Sequence, residues 1–152
     1  MRDLSLHILD LAQNSVRANA ALVEIMVSVD ESRLITITIR DDGSGMSDEL
    51  KERVTSPFAT TRTTRKVGLG IPLMMQNARL AGGDVRIDST LGQGTTLTAT
   101  LHGDSIDCLP LGDLAGTVVS LVSANPERPD FRLSCSSPKG SMDFDTREMR
   151  QA

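Results

Sequence analysis

Apolar and polar residues alternate with two different periods in the first third of the chain. Apolar residues recur every three or four positions between residues 4 and 18, which predicts an amphipathic helix. Alternation follows over residues 22–29 and, more cleanly, over residues 34–40, and this period of two predicts a pair of half-buried strands. The polar run 30–33 between the two strands predicts a hairpin.

The middle of the chain repeats this order. A short helix is predicted over residues 47–54, and residues 55–67 have the composition of a mobile loop. A helix over residues 70–80 ends at a glycine pair, and strands are predicted over 84–89 and 95–101. Strand pairs with helices on one face make an α/β two-layer sandwich with a mixed, mostly antiparallel sheet.

The C-terminal part has weaker patterns. Residues 111–123 predict a helix, although their β-branched residues also permit a strand. Residues 130–136 and 141–144 predict a hairpin, and a terminal helix is expected from residue 146. Because this part is too short for a core of its own, we expect a small α/β appendage to the main sheet.

Composition supports one main folding unit. The 152 residues are near the commonest size of a single domain, and we divide them into residues 1–103 and the appendage 104–152. There is no Trp or Tyr and there are three Phe, so the core must be built from aliphatic side chains.

Charge and hydropathy exclude several classes of protein. A net charge of −4 gives no positive field for nucleic acid. No stretch approaches the roughly eighteen apolar residues of a membrane span. Polar residues interrupt the N-terminal segment, and two cysteines make no disulfide framework. We therefore expect a soluble, cytoplasmic protein without nucleic-acid or membrane partners, and the oligomeric state stays open.

Two polar residues stand out in the first predicted helix. Asp10 and Asn14 are four positions apart, so they project from the same helix face. Taken alone, such a pair is more typical of a solvated polar face. Polar groups among apolar neighbours need a partner, however, and Mg²⁺ takes oxygen ligands such as an amide carbonyl.

Glycine-containing segments lie next to two of the predicted strands. Asp41-Asp42-Gly43-Ser44-Gly45 ends the second strand, where two carboxylates are costly unless something uses one of them. Gly43 and Gly45 allow positive φ and a close approach of the backbone to a ligand. The segment Gly92-Gln93-Gly94-Thr95-Thr96 enters a later strand. Each segment alone is also typical of an ordinary turn.

A basic, threonine-rich segment precedes the helix predicted over residues 70–80. A helix start led by glycine presents free N–H groups and the positive end of the helix dipole, which suits phosphates. A solvated loop is the alternative. The residues expected near phosphates are Thr60, Thr61, Arg62, Lys66, Gly68, Leu69 and Gly70.

In this order, the four motifs resemble the ATP site of the GHKL superfamily, which includes gyrase-type ATPases, heat-shock chaperones, histidine kinases and mismatch-repair ATPases. The resemblance covers about residues 4–101. It implies a Bergerat-type ATP-binding fold and a site for ATP or ADP with Mg²⁺.

The resemblance also implies roles for individual residues. Asn14 matches the asparagine that ligates Mg²⁺, and Asp41 matches the aspartate that accepts a hydrogen bond from the adenine amino group. Thr95 matches a threonine that supports the adenine pocket. Asp10 stands where hydrolysing members have a water-activating glutamate. Its shorter side chain disfavours efficient hydrolysis, because a general base must lie within hydrogen-bond reach.

Three functions are open at this point. The first is a stand-alone kinase-like domain that uses Mg-ATP to phosphorylate a histidine, serine or threonine of a partner protein in trans; the kinase-like segment 58–70 favours it. The second is a slow ATPase acting as a conformational switch, and the third is a non-catalytic nucleotide sensor that regulates a partner. His7 is not expected to accept phosphate, because histidine kinases carry that histidine on a separate helical hairpin and we expect none here.

Overall fold

Three helices and six strands form the framework of the part of the chain that the structure describes. The computed structural model describes residues 4–49, 52, 70–103, 114–125 and 129–146. The helices are α1 (Leu4–Arg17), α2 (Gly70–Leu80) and α3 (Leu114–Ala124). The strands are β1 (Leu22–Val29), β2 (Leu34–Asp41), β3 (Asp84–Thr90), β4 (Gly94–His102), β5 (Asp130–Ser137) and β6 (Gly140–Asp145).

All six strands belong to one sheet, in the order β3-β4-β2-β1-β5-β6. Neighbouring strands are antiparallel except β1 and β5, which are parallel. The predicted α/β fold class with a mixed, mostly antiparallel sheet is therefore confirmed. The hairpins β1–β2 and β3–β4 lie where the alternating patterns predict them.

The core lies between the sheet and the helices, which contact it from one side. Alternate residues of the central strands are buried because successive side chains in a strand point to opposite faces. The buried strand residues are Val23, Ile25, Val27, Ile35, Ile37, Ile39, Leu97, Ala99, Leu101, Phe131 and Leu133. The helices contribute Leu4, Ile8, Leu11, Ala12, Ile71, Met74, Met75, Ala78, Val118 and Leu121. The core is thus almost entirely aliphatic, as the composition requires.

The C-terminal hairpin extends the sheet beyond β1. Val23 pairs with Phe131 and Ile25 with Leu133, so both β5 residues join the same buried cluster as α1 and β2. The Thr146 hydroxyl accepts a hydrogen bond from the Phe131 N–H at 2.8 Å. The segment whose pattern permitted a helix or a strand is helical over Leu114–Ala124.

Several predicted features lie outside the described residues. They include half of the short helix predicted over residues 47–54, the loop 55–67, and the terminal helix beyond Thr146. Within the described ranges, no helix is both long and apolar enough to cross a membrane.

The position of Phe131 gives a test of how the hairpin is integrated. Its side chain is fully buried, so Phe131→Ala is expected to lower the free energy of unfolding by about 3–5 kcal/mol. Val119→Ala is the control, because Val119 is 63% exposed on α3 and its loss is expected to cost less than about 0.5 kcal/mol. Urea denaturation followed by circular dichroism measures both. A separate early transition for the hairpin would contradict a shared core.

Candidate functional site

The Asp41 carboxylate lies on the helix side of the sheet, at the end of β2. Asp41 pairs with Val23 on β1 and with Thr95 on β4, so these three side chains share one face. The Ser15 hydroxyl of α1 donates to Asp41 Oδ2 at 2.6 Å, and the Gly43 N–H donates to Oδ1 at 2.9 Å. Two donors therefore fix the orientation of a half-buried acceptor.

The neighbouring carboxylate has a different function. Asp42 Oδ1 accepts hydrogen bonds from the N–H groups of Ala21 at 2.7 Å and Leu22 at 3.0 Å. Asp42 thereby holds the connection between α1 and β1 against the end of β2. Of the two aspartates in this motif, Asp41 is the one whose carboxylate faces the helices next to Thr95.

Three glycines let the backbone segments around Asp41 approach one another closely. A Cβ on Gly43 would lie 2.7 Å from the Ala18 carbonyl oxygen, and one on Gly45 would lie 2.2 Å from the Thr90 carbonyl oxygen. A Cβ on Gly94 would lie 2.2 Å from the Asp41 carbonyl oxygen. Gly45 and Gly94 also have φ of +69° and +124°, which disfavour other residues. The two glycine motifs therefore pack directly on each other.

Thr95 is oriented by a serine of the adjacent strand. Ser89 Oγ lies 2.8 Å from Thr95 Oγ1, donates to the Gly94 carbonyl at 3.1 Å, and accepts from the Met46 N–H at 2.8 Å. Because a serine has one hydroxyl hydrogen, this pattern leaves the Thr95 hydroxyl to donate to Ser89. The lone pairs of Thr95 then add to the acceptors at this end of the sheet.

The polar residues of α1 lie on the same helix as Ser15. Asp10 and Asn14 are both half-buried and one turn apart. Asn14 Oδ1 accepts a hydrogen bond from Arg17 Nη1 at 2.9 Å, and Arg17 is exposed. The amide oxygen that the resemblance assigns to Mg²⁺ thus already faces the cationic side chain of Arg17.

The oxygen atoms of Asn14 and Asp10 suit a magnesium ion that takes most of its ligands from nucleotide phosphates and water. Among the described residues, no group of three His, Cys, Asp or Glu side chains is placed to hold a metal. Mg²⁺ usually takes one or two protein oxygens and completes its shell with phosphate oxygens and water. Asn14, with Asp10 one turn away, fits that pattern.

The helix α2 begins at Gly70, the last residue of the segment Gly68-Leu69-Gly70. No acidic residue occupies its first turn, so nothing in the helix itself neutralises the positive end of its dipole. The other residues expected near phosphates lie outside the described residues: Thr60, Thr61, Arg62, Lys66, Gly68 and Leu69.

The sequence reasoning missed Ser15, Ser89 and Arg17. Ser15 is buried and continues the apolar stripe of α1 at helical spacing, while Ser89 continues the inward face of β3. Both serines stand at positions where the pattern predicts an apolar residue. A buried hydroxyl requires a hydrogen-bond partner, so these positions could have indicated a polar contact. Arg17 gave no comparable signal, because a basic residue in the last turn of a helix is ordinary.

A known protein family matches the part of the chain that contains these motifs. Residues 2–105 match the model of the family described as histidine kinase-, DNA gyrase B-, and HSP90-like ATPases. The match covers about two thirds of the chain and includes all four motifs. The chain belongs to this family of ATPases, as the resemblance in the sequence indicated.

Curated relatives include several sensor kinases. The chain is 33% identical over 88 residues to an uncharacterized sensor-like histidine kinase of Rhizobium meliloti, covering 53% of this chain and 17% of that protein. It is 30% identical over 100 residues to the sensor histidine kinase WalK of Bacillus subtilis, covering 60% of this chain and 16% of WalK. The chain therefore spans about a sixth of the length of these relatives.

Among solved structures, the fold is similar to the blue-light activated histidine kinase of Erythrobacter litoralis EL346. The TM-score is 0.47 at 17% sequence identity, and the match covers 64% of this chain and 29% of that one.

The orientation of Asp41 generates a prediction about nucleotide binding. In Asp41→Asn a single acceptor oxygen would face the Ser15 hydroxyl, the Gly43 N–H and an adenine amino group, so ATP affinity is expected to fall by about 1–3 kcal/mol. Isothermal titration calorimetry measures this loss. Asp42→Asn is the matched control, since its amide oxygen can still accept from Ala21 and Leu22. Unchanged ATP affinity in Asp41→Asn would show that adenine binds elsewhere.

The packing of the glycine motifs generates a second prediction. Gly94→Ala is expected to cost about 3 kcal/mol of stability, because it adds a clash with the Asp41 carbonyl to an unfavourable φ. Gly92→Ala is the control: its φ is +84°, but nothing lies within 4 Å of the added methyl group, so about 1 kcal/mol is expected. Chemical denaturation compares the two variants. Equal losses would mean that Gly94 does not pack against Asp41 as described.

Proposed function

We propose that this chain binds Mg-ATP in the cleft between α1, the Asp41 end of the sheet and the start of α2, and that it transfers the γ-phosphoryl group to a separate protein. The observation that carries the proposal is the Asp41 carboxylate. It is fixed by Ser15 and Gly43 beside Thr95, on the same side of the sheet as the helix that carries Asn14.

The adenine end is proposed to select the base by its amino group. Asp41 and Thr95 both present acceptor oxygens there, and Gly43 and Gly45 keep side chains out of the surrounding loop. Guanine carries a carbonyl oxygen where adenine carries this amino group, so acceptors of this kind would be left facing another acceptor. A buried polar group left unpaired in this way supports strong discrimination.

The phosphate end is proposed to combine α1 with α2. Asn14 supplies one oxygen ligand for Mg²⁺, which neutralises charge on the phosphates when it is bound. The backbone N–H groups at Gly68 to Gly70 bind phosphate oxygens at the positive end of the α2 dipole. Thr60, Thr61, Arg62 and Lys66 belong to the segment proposed to close over them.

Asp10 is proposed to serve transfer rather than hydrolysis. Its carboxylate lies one turn before Asn14 on the same helix. When a serine or threonine hydroxyl attacks the γ-phosphorus, the bond to the bridging oxygen of ADP breaks and the hydroxyl proton must leave. Asp10 can accept that proton when the hydroxyl of the acceptor protein comes within hydrogen-bond reach of its carboxylate. The Asp10 side chain is shorter than the water-activating glutamate of hydrolysing members, so a water molecule positioned for that glutamate would lie beyond its reach.

The hypothesis that this chain is a kinase is also supported by its relatives. They are named as histidine kinases and include the histidine protein kinase DivJ of Caulobacter vibrioides. Because the chain corresponds to about a sixth of their length, the identity of the phosphate acceptor does not carry over.

A non-catalytic nucleotide sensor is the second candidate function. It is favoured by the hydrogen bond between Arg17 Nη1 and Asn14 Oδ1, in which a guanidinium group faces the proposed metal ligand. Binding of Mg-ATP would then exchange one cation for another at Asn14 and alter the surface at the end of α1. Such a change can regulate a partner protein without phosphoryl transfer.

The fate of the γ-phosphate tests the proposal. The protein is incubated with Mg²⁺ and γ-labelled ATP, with and without host lysate, beside the Asn14→Ala variant. Labelled protein that disappears with Asn14→Ala is the expected result, because the variant lacks an oxygen ligand for the metal. Asp10→Asn is expected to lower labelling of a serine or threonine acceptor by roughly 10²-fold or more.

Two other results would contradict kinase function. Free phosphate without labelled protein would identify an ATPase, and retention of all the label in ATP would favour the sensor.

The Asn14→Ala variant also controls for kinases of the lysate. Equal labelling by the wild type and Asn14→Ala would mean that the label comes from another kinase in the lysate.

A further inference from the structure

A buried histidine joins the two helices of the site. His7 of α1 is 1% exposed, and its Nε2 lies 3.2 Å from the side-chain amide nitrogen of Asn77 on α2. The same amide nitrogen donates to the Leu73 carbonyl at 2.9 Å. Because a carbonyl oxygen can only accept, this second bond fixes which way the Asn77 amide points. His7 Nε2 is therefore the acceptor, and its ring hydrogen is on Nδ1.

The two helices run in opposite directions across the sheet. The C-terminal half of α1 contacts the Asp41 end through Ser15, and Asp41 pairs with Thr95 at the start of β4. The C-terminal end of α2 lies at the other end of β4, where the His102 N–H donates to the Ala81 carbonyl at 3.0 Å. The last turn of α1 and the first turn of α2 are consequently at the same end of the sheet.

The hydrogen bond between His7 and Asn77 lies equally far along the two helices from Asn14 and from Gly70. Asn14 follows His7 by seven residues, and Gly70 precedes Asn77 by seven residues. Seven residues of helix correspond to about 10.5 Å of rise. In antiparallel helices, a bond at His7 and Asn77 therefore places Asn14 level with Gly70.

We propose that His7 and Asn77 are a positioning pair that sets the register of α1 against α2, and so holds the metal ligand Asn14 level with the phosphate-binding start of α2. This inference rests on the proposed binding of Mg-ATP at those two positions. A directional contact is suited to this task. Apolar helix faces tolerate small axial slips, whereas a hydrogen bond loses most of its strength when its geometry is displaced.

The pair acts only on the phosphate end of the site. The adenine acceptors Asp41 and Thr95 are positioned by β2, β4 and α1, not by α2. Loss of the pair is therefore expected to weaken binding of Mg-ATP while leaving binding of adenosine unchanged. A role confined to overall stability would not separate the two ligands.

The experiment measures Mg-ATP and adenosine affinity by calorimetry in His7→Leu and Asn77→Leu, below the unfolding temperature of each variant. Each substitution is expected to weaken Mg-ATP binding by roughly three- to tenfold, the equivalent of one net hydrogen bond. His7→Gln is expected to retain wild-type affinity, because its side-chain oxygen can accept from Asn77. A difference between the Leu and Gln variants assigns the effect to the hydrogen bond rather than to packing.

Thr117→Val is the matched control. Thr117 is buried on α3, and its hydroxyl donates to the Ser5 carbonyl of α1 at 3.2 Å, so the variant loses a comparable contact to a helix outside the site. Its Mg-ATP affinity is expected to match the wild type. An equal loss of Mg-ATP affinity in Thr117→Val and His7→Leu would overturn the inference. An equal loss of adenosine and Mg-ATP affinity in His7→Leu would also overturn it.

Asn14→Ala separates this inference from the proposed function. If Asn14→Ala weakens Mg-ATP binding while His7→Leu and Asn77→Leu do not, the positioning pair is refuted and the site stands. If Asn14→Ala also has no effect, the proposed metal site itself is wrong, and the inference falls with it.

Discussion

The hydrogen bond from Ser15 to Asp41 is the contact on which the arrangement of the site depends. It ties the helix that carries Asn14 to the end of β2 at Asp41, the proposed acceptor for the adenine amino group, at an oxygen separation of 2.6 Å. A carboxylate at the end of a half-buried strand is costly to desolvate, and two donors offset that cost. These two donors give the Asp41 carboxylate its fixed direction.

Close backbone packing makes this arrangement rigid. The Gly94 backbone lies against the Asp41 carbonyl, and the Gly43 backbone lies against the Ala18 carbonyl, so the connections on either side of β2 support each other. The proposed phosphate end lies at the start of a different element, α2, which contacts α1 through His7 and Asn77. The proposed adenine and phosphate ends of the site are thus positioned by separate contacts to α1.

Much of this structure could be predicted from the sequence, because strands with one buried face impose a period of two and α1 imposes a helical period. The pairing of β1 with β5 could not, since it joins segments about a hundred residues apart that no local pattern links. The resemblance of the motifs to a known family indicated Asp41 and Thr95, but their partners Ser15 and Ser89 were missed because the need for a hydroxyl arises only from tertiary packing. His7 was not assigned a role for the same reason: its partner lies on another helix.

The most direct test of this account is a crystal structure of the protein with Mg²⁺ and a non-hydrolysable ATP analogue. The account predicts that the adenine amino nitrogen lies within hydrogen-bond distance of the Asp41 carboxylate, at about 2.7–3.2 Å, with Ser15 still donating to the same group. It also predicts the metal within about 2.1 Å of Asn14 Oδ1. An adenine ring bound away from Asp41, with the Ser15 bond unchanged, would contradict the central claim.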